Sequence, residues 1–168
     1  FDARSIEMKR EYFSLDTLVR DIVSTFGVEA KNKDLKMKYN TVNEIPLIYA
    51  DKFQIDRSIK NIISNSIKYT PENGEIKVFV GCMNSEAYIK IEDNGIGIPE
   101  SDLAHIFARF YRVDKARSRD QGGTGLGLSI AKEIIQQHKG TISMESKVGE
   151  YTKVTIKLPI AKPGVTIG

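Results

Sequence analysis

Asp93-Asn94-Gly95-Ile96-Gly97-Ile98, followed about thirty residues later by Gly123-Thr124-Gly125-Leu126-Gly127-Leu128, places two glycine turns around one acidic side chain. A polyphosphate is held best by backbone N–H groups, and only residues without a Cβ let the backbone come that close. The second run leads into Ser129-Ile130-Ala131-Lys132-Glu133-Ile134-Ile135, whose apolar residues have helical spacing. The unpaired N–H groups and positive dipole end of that helix are therefore expected to face the glycine turn. One glycine-rich hexamer is more often turn punctuation; two with an acidic partner predict a nucleotide pocket. The chain has neither the Gly-x4-Gly-Lys-Ser/Thr pattern of P-loop proteins nor a Gly-x-Gly-x-x-Gly spacing, so a different cradle is required.

Upstream of these runs the periodicity is clear. Ser14 is a candidate N-cap for a helix carrying Leu15, Leu18, Val19, Ile22, Val23 and Phe26 on one face. Leu35, Met37 and Tyr39 alternate with polar residues as a half-buried strand, and Pro46 to Ala50 reads as a short second one. Asp51 is expected to cap a further helix with Ile55, Ile59, Ile62, Ile63 and Ile67 buried, and with Asn61, Asn65 and Lys68 on a separate polar face. The turn Pro71-Glu72-Asn73-Gly74 opens a hairpin, Ile76 to Cys82 and Ala87 to Glu92, joined around Asn84-Ser85.

Beyond Gly97 a short helix is expected from about Pro99 to Phe107, then a long polar stretch from Tyr111 to Gly123. A helix from about Leu126 to His138 follows. Two closing strands are expected, with Ile142 and Met144 in one and Val154, Ile156 and Leu158 in the other. Grouped helices and antiparallel strands predict an α+β fold, a sandwich with helices covering one face of the sheet. Residues 1–12 read as a linker or the end of a preceding helix, 13–160 as one domain, and 161–168 as a tail.

At 168 residues and 40% apolar content the chain can bury a core of its own. No apolar run is long enough to cross a bilayer, and a start at Phe1 suggests a piece of something larger. The net charge of +3 is mild and the signs alternate, which argues against a nucleic-acid partner. A local basic group, Arg109, Arg112, Lys115, Arg117 and Arg119, precedes the second glycine run. The single cysteine, Cys82, excludes an intrachain disulfide, suits a reducing cytoplasm, and is in phase with core positions.

Asn61 and Asn65, one helical turn apart, can offer amide oxygens to Mg²⁺, which keeps waters and phosphate oxygens as its remaining ligands. Taken alone, Asn61 reads more readily as an ordinary helix-surface amide, and Lys68 as a solvated lysine. Asp93 is an acceptor that would take a hydrogen bond from an exocyclic amine, selecting adenine over guanine; its plainer role is an Asx turn.

Asn61-x3-Asn65-x2-Lys68-Tyr69, Asp93-x-Gly95-x-Gly97, Phe107-x2-Phe110-Tyr111-Arg112 and Gly123-x-Gly125-x-Gly127 occur in this order. They resemble the asparagine, first glycine, phenylalanine and second glycine boxes of sensor histidine kinases, over about residues 13–159. The resemblance implies the catalytic and ATP-binding domain of a two-component kinase. Its Bergerat fold is a two-layer α/β sandwich, with a mixed, mostly antiparallel sheet under about three helices and an ATP lid over about residues 99–124.

By matching position, Asn61 and Asn65 would serve Mg²⁺, Lys68 and Arg112 the phosphates, Asp93 the adenine amine, and Tyr69 its ring face. Asn61, Lys68 and Arg112 would act in the transfer. Gly95, Gly97, Ile98, Phe110, Tyr111, Gly123, Thr124, Gly125, Leu126, Gly127, Leu128 and Thr152 would complete the ATP pocket. The family's last box usually reads Gly-x-Gly-Ser/Thr; here Gly149-Glu150-Tyr151-Thr152 puts Tyr151 where a glycine is expected, which puts backbone freedom in doubt.

The resemblance further implies transfer of the γ-phosphoryl group to a histidine on a separate dimerisation domain, then to an aspartate on a response regulator receiver domain. His105 and His138 do not lie in the acceptor context and read as structural. The fragment is expected to be monomeric, within a homodimeric, membrane-anchored bacterial parent whose catalytic part is cytoplasmic. Two rivals remain. An ATPase gate of the same superfold normally has a glutamate four residues before the first asparagine, where this chain has Arg57. A catalytically degenerate binding module has only Tyr151 in its favour.

Overall fold

The computed structural model describes residues 7–108 and 127–160. The elements run β1 (Glu11–Phe13), α1 (Leu15–Asn32), β2 (Lys36–Thr41), β3 (Ile48–Ala50), α2 (Lys52–Tyr69), β4 (Glu75–Met83) and β5 (Glu86–Asp93). After them come α3 (Glu100–Leu103), α4 (Gly127–Gln137), β6 (Thr141–Lys147) and β7 (Tyr151–Pro159).

Both long helices start where their caps place them. Ser14 Oγ accepts the Thr17 N–H at 3.2 Å and Asp51 Oδ1 the Gln54 N–H at 3.2 Å, each satisfying an orphan donor of a first turn. The isoleucine stripe of α2 is fully buried, from Ile55 to Ile67. Truncating one such side chain to alanine costs about 2–5 kcal/mol. On α1, Asp16 accepts the Thr41 hydroxyl at 2.7 Å and the Tyr39 hydroxyl, which pins the helix to β2.

Five strands form one sheet in the order β2-β4-β5-β7-β6, with β2 parallel to β4 and every other pair antiparallel. Asn84 and Ser85 join β4 to β5 with φ of 54° and 65°, the positive pair that a two-residue type I′ hairpin needs. Alternation puts Ile76, Val78 and Val80, Ile89 and Ile91, and Val154, Ile156 and Leu158 on one buried face. Helices α1, α2 and α4 cover that face, giving the expected two-layer α+β sandwich. On the opposite face Lys77, Glu92 and Lys153 stand side by side in register, and Lys153 pairs with Glu145 at 3.7 Å.

Three details differ from the sequence reading. Glu11 and Tyr12, inside the stretch read as linker or helix end, lie in β1, which pairs antiparallel with β3. The helix expected from Pro99 to Phe107 narrows to Glu100–Leu103, because Pro99 supplies no side-chain cap and the following N–H bonds reach only three residues back. Cys82 is half-buried at the rim rather than in the core, with its thiol 3.3 Å from the Glu44 carbonyl.

Candidate functional site

Helix α2 presents two faces because its isoleucines and its amides follow different helical rows. Asn61, Asn65 and Lys68 are half-buried on the row beside the isoleucine stripe. Asn61 lies against the start of α4: a Cβ built on Gly127 would stand 3.8 Å from Asn61 Cγ. At the other end of α2, the Tyr69 carbonyl accepts the Ile96 N–H at 3.4 Å, joining the helix to the turn after β5. The last turn of α2 is held from α1, since Lys33 Nζ donates to the Ile67 carbonyl at 2.7 Å and to the Lys68 carbonyl at 3.0 Å.

Asp93 ends β5 in phase with Ile89 and Ile91, so its carboxylate points into the buried layer and is only 6% exposed. Its Oδ1 accepts the Gly95 N–H at 2.9 Å, and the Ser66 hydroxyl of α2 bonds the same carboxylate. Burial pushes the Asp93 carboxyl above the usual range, and the Gly95 amide and Ser66 hydroxyl pull it back. The result is a sequestered acceptor at the mouth of the α2–sheet interface.

Across the sheet, Asp93 pairs in register with Thr152. The turn from Gly95 to Ile98 docks on the β6–β7 hairpin. Gly97 takes φ +75°, and a Cβ there would stand 2.7 Å from Val148 Cα and closer still to the Lys147 carbonyl oxygen. The Ile98 N–H donates to Ser146 Oγ at 2.7 Å, and that hydroxyl donates to the Tyr151 carbonyl at 2.7 Å. Thr152 Oγ1, also 2.7 Å from Ser146 Oγ, must then spend its proton on Ser146, leaving its lone pairs toward the site.

The doubt over the last glycine box is settled by the hairpin itself. Left-handed backbone is needed at Gly149, with φ +79°, whereas Tyr151 already lies in β7 paired with Lys147 and has no positive φ. A side chain at position 151 is therefore compatible with the backbone.

The structure thus gathers Asn61, Asn65, Lys68, Tyr69, Asp93, Gly95, Gly97, Ile98, Gly127, Leu128 and Thr152 along α2, the start of α4 and the ends of β5 and β7. Phe110, Tyr111, Arg112, Gly123, Thr124, Gly125 and Leu126 lie outside the described residues, as do Arg109, Lys115, Arg117 and Arg119. Flanking that stretch, Lys132 Nζ of α4 sits 5.3 Å from the centroid of the Phe107 ring. His138 is buried, its Nε2 accepting the Asp51 N–H at 3.0 Å, as fits a structural histidine.

The donor chemistry of α2 suits magnesium. Among the described residues no cluster of three or more His, Cys, Asp or Glu could hold a metal. Asn61 beside Gly127 and Asn65 one turn further along α2 offer amide oxygens, a type of ligand suited to a hard cation that takes its other ligands from phosphate and water.

Two residues of the site were missed from sequence. Ser66 falls three and four residues after Ile63 and Ile62 on the buried row, and Ser146 continues the inward alternation of Ile142 and Met144. A hydroxyl in phase with a core stripe was the available signal in both.

Comparison with known proteins agrees with the fold. Residues 50–162 match the family described as histidine kinase-, DNA gyrase B- and HSP90-like ATPases. The sensor histidine kinase WalK of Bacillus subtilis (strain 168) is 38% identical over 161 residues, 95% of this chain and 26% of that protein. The signal transduction histidine-protein kinase ArlS of Staphylococcus aureus (strain USA300) is 41% identical over 150 residues, 89% of this chain and 30% of that one. The chain therefore spans between a quarter and a third of these curated relatives. Among solved structures, the catalytic domain of the histidine kinase ThkA superposes with a TM-score of 0.78 at 28% identity, covering 92% of this chain and 97% of that one. ThkA in complex with the response regulator protein TrrA matches with a TM-score of 0.77 at 26% identity, over 92% of this chain and 42% of that one. No helix among the described residues is long and apolar enough to cross a membrane.

Proposed function

This chain belongs to the histidine kinase-, DNA gyrase B- and HSP90-like ATPases, and from that premise we propose that it is the ATP-binding catalytic domain of a two-component sensor histidine kinase. It binds Mg-ATP between α2, the end of β5 and the start of α4. The γ-phosphoryl group passes to a histidine on a separate dimerisation domain, and ADP stays behind; a response regulator aspartate then receives the group.

The observation that carries this reading is Asp93, a buried carboxylate at the end of β5 that accepts the amide of the first glycine turn. An ionised carboxylate accepts only, so it takes the adenine exocyclic amine and turns away the guanine carbonyl. Tyr69 lies against the base, Thr152 offers lone pairs on its far side, and Lys68 and Arg112 meet the phosphates. Asn61 and Asn65 hold the magnesium, whose charge offsets that of the phosphates. Phosphoryl transfer depends on positioning and charge neutralisation, which is what such a constellation supplies.

The regulator partner is supported by ThkA, which is known in complex with one. The parent is a homodimer anchored in the membrane with this domain in the cytoplasm, and the isolated domain is a monomer. A sedimentation mass of twice the chain at micromolar concentration would contradict the last point.

Calorimetric titration of Mg-ATP, with GTP as the control, tests the pocket. Saturable ATP binding that weakens in Asp93→Asn is expected. A folded wild type that binds no ATP would make the domain a degenerate interaction module. Radiolabel transfer to a supplied phosphoacceptor domain separates the kinase from an ATPase gate, a role that Arg57, exposed on α2 in place of a glutamate base, already disfavours.

A further inference from the structure

We infer that Ser146 is a positioning residue for base recognition: by taking the proton of the Thr152 hydroxyl it makes Thr152 an acceptor, and so helps to select a 6-aminopurine over a 6-oxopurine. The inference rests on reading the site as an ATP pocket.

Ser146 of β6 and Thr152 of β7 stand directly opposite each other in the ladder, on the inner face continued by Ile142, Met144, Val154 and Ile156. Two hydroxyls that meet across a strand pair bond readily, and either can be the donor. Here the neighbours fix the direction. A serine oxygen carries one proton and two lone pairs. The Tyr151 carbonyl, 2.7 Å away, can only accept, so it takes the Ser146 proton. The Ile98 N–H can only donate, and at 2.7 Å it occupies one lone pair. The second lone pair is left for Thr152 Oγ1, also at 2.7 Å, and that contact is a hydrogen bond only if Thr152 donates. The polarity of Thr152 is thus set by a backbone carbonyl and a backbone amide, neither of which can exchange its role.

Thr152 is also the register partner of Asp93, whose buried carboxylate accepts the Gly95 N–H at 2.9 Å. Two paired strands therefore bring together an ionised carboxylate and a hydroxyl oxygen that only accept. A purine with an exocyclic amine at position 6 presents the donor this pair requires, whereas a 6-oxopurine sets lone pairs against lone pairs. A water bridging the pair obeys the same rule: it gives one proton to Asp93 and one to Thr152, and is left to accept from the base. Without the Ser146 oxygen, the Thr152 hydroxyl is free to turn and donate, to the base or to such a water, and a carbonyl at position 6 becomes acceptable.

The test compares the dissociation constants of Mg-ATP and Mg-ITP, whose base has a carbonyl where adenine has its amine. They are measured by calorimetry for wild type, Ser146→Ala, Thr152→Val and the double variant. Ser146→Ala should cut the preference for ATP over ITP about five- to tenfold, the worth of one hydrogen bond. Thr152→Val should cut it by a similar factor, and the double variant no further than Thr152→Val alone, because the serine acts through the threonine. Ser146→Cys, whose sulfur is a weaker acceptor, should fall between wild type and alanine, and it carries the comparison if the alanine variant does not fold. If Ser146→Ala weakens both nucleotides by the same factor, the serine only ties the glycine turn to the hairpin and the proposal is overturned. Effects that multiply in the double variant would overturn it equally, since the serine would then act independently of Thr152. A folded wild type that binds neither nucleotide would instead overturn the pocket reading on which the proposal rests.

Discussion

His138 Nε2 accepts the Asp51 N–H at 3.0 Å while Nδ1 stands 2.8 Å from the Ile134 carbonyl, so the end of α4 is bonded to the N-cap of α2 through a neutral imidazole. The proton must sit on Nδ1, because Nε2 is needed as an acceptor. Burial holds the ring below the ordinary histidine value and nearby Arg10 adds to this, against the pull of the Ile134 carbonyl and Asp51.

A lowered native pKa means that the unfolded chain protonates first as pH falls. The stability tied to neutral His138 is complete above about pH 6.5 and is lost progressively below it, down to the native value. Urea midpoints should therefore fall from neutral to mildly acidic pH in the wild type, and fall less in His138→Gln. The variant should also be less stable at neutral pH by about 1 kcal/mol. Equal pH slopes in the two proteins would dismiss the role given to the ring.

Asp93 contributes with the opposite sign. Its carboxyl is raised by burial, so the ionised native state is disfavoured, and stability improves as pH falls through the native pKa toward the lower, ordinary carboxyl value of the unfolded chain. Asp93→Asn should fold as well as the wild type at neutral pH, since its amide oxygen can still accept the Gly95 N–H. It should nevertheless bind ATP roughly ten to a hundred times more weakly, the worth of a hydrogen bond to a charged group. Its amide also brings a donor for the guanine carbonyl, so discrimination against GTP should narrow. Melting curves and calorimetry together separate lost binding from lost fold.

The two left-handed glycines of this region make a matched pair. Gly97 at φ +75° is pressed against Lys147 and Val148, whereas Gly149 at φ +79° has open space where a Cβ would go. Gly149→Ala should cost only the backbone strain, about 1–2 kcal/mol, with ATP affinity kept. Gly97→Ala adds a steric clash, so it should cost more and displace the Ile98 amide from Ser146, weakening ATP binding as well. Equal melting temperatures for the two variants would refute the packing argument.

Much of this arrangement was legible because it is local. Asp51 and the five isoleucines after it fix both the start and the buried face of α2, and Asn84-Ser85 fixes a hairpin whose strands then alternate. The amides, Lys68, Asp93 and the first glycine turn followed from the same elements. What escaped depends on distant partners. Strand β1 is three residues long, has no period of its own, and exists because β3 lies beside it. Ser146 carries no local signal of its partner, because the Ile98 amide it accepts lies 48 residues away in sequence. At Tyr151 the family pattern puts a second glycine, whereas this hairpin has positive φ only at Gly149.

That last point is testable by restoring the expected residue. Tyr151 is in regular register with Lys147, and its carbonyl accepts from Ser146. Tyr151→Gly should leave that backbone bond in place and so leave ATP affinity unchanged. It should lower stability by about 0.5–1 kcal/mol, the entropic cost of glycine in a strand, plus whatever packing the ring supplied. Tighter ATP binding by the glycine variant would show that the ring obstructs the site.

The end of α2 that carries Lys68 and Tyr69 depends on a cation from another helix. Thr70, the C-cap, is extended and no glycine follows, so the last carbonyls lack the usual left-handed closure. Lys33 replaces it, donating to the Ile67 and Lys68 carbonyls from the C-terminus of α1. Its charge also faces the negative end of the α2 dipole. Burial lowers the Lys33 pKa, with Glu29 acting against this, as expected for an ammonium placed in a confined site to serve carbonyls. Lys33→Met keeps the stem and removes both bonds. It should destabilise the domain by about 1–2 kcal/mol, and weaken ATP binding further because the turn presenting Lys68 is freed to fray. Lys33→Arg retains charge and donors and should recover part of each loss. If Lys33→Met melts with the wild type, the helix end is closed by something other than this lysine; if it melts early yet binds ATP normally, the lysine serves the fold and not the site.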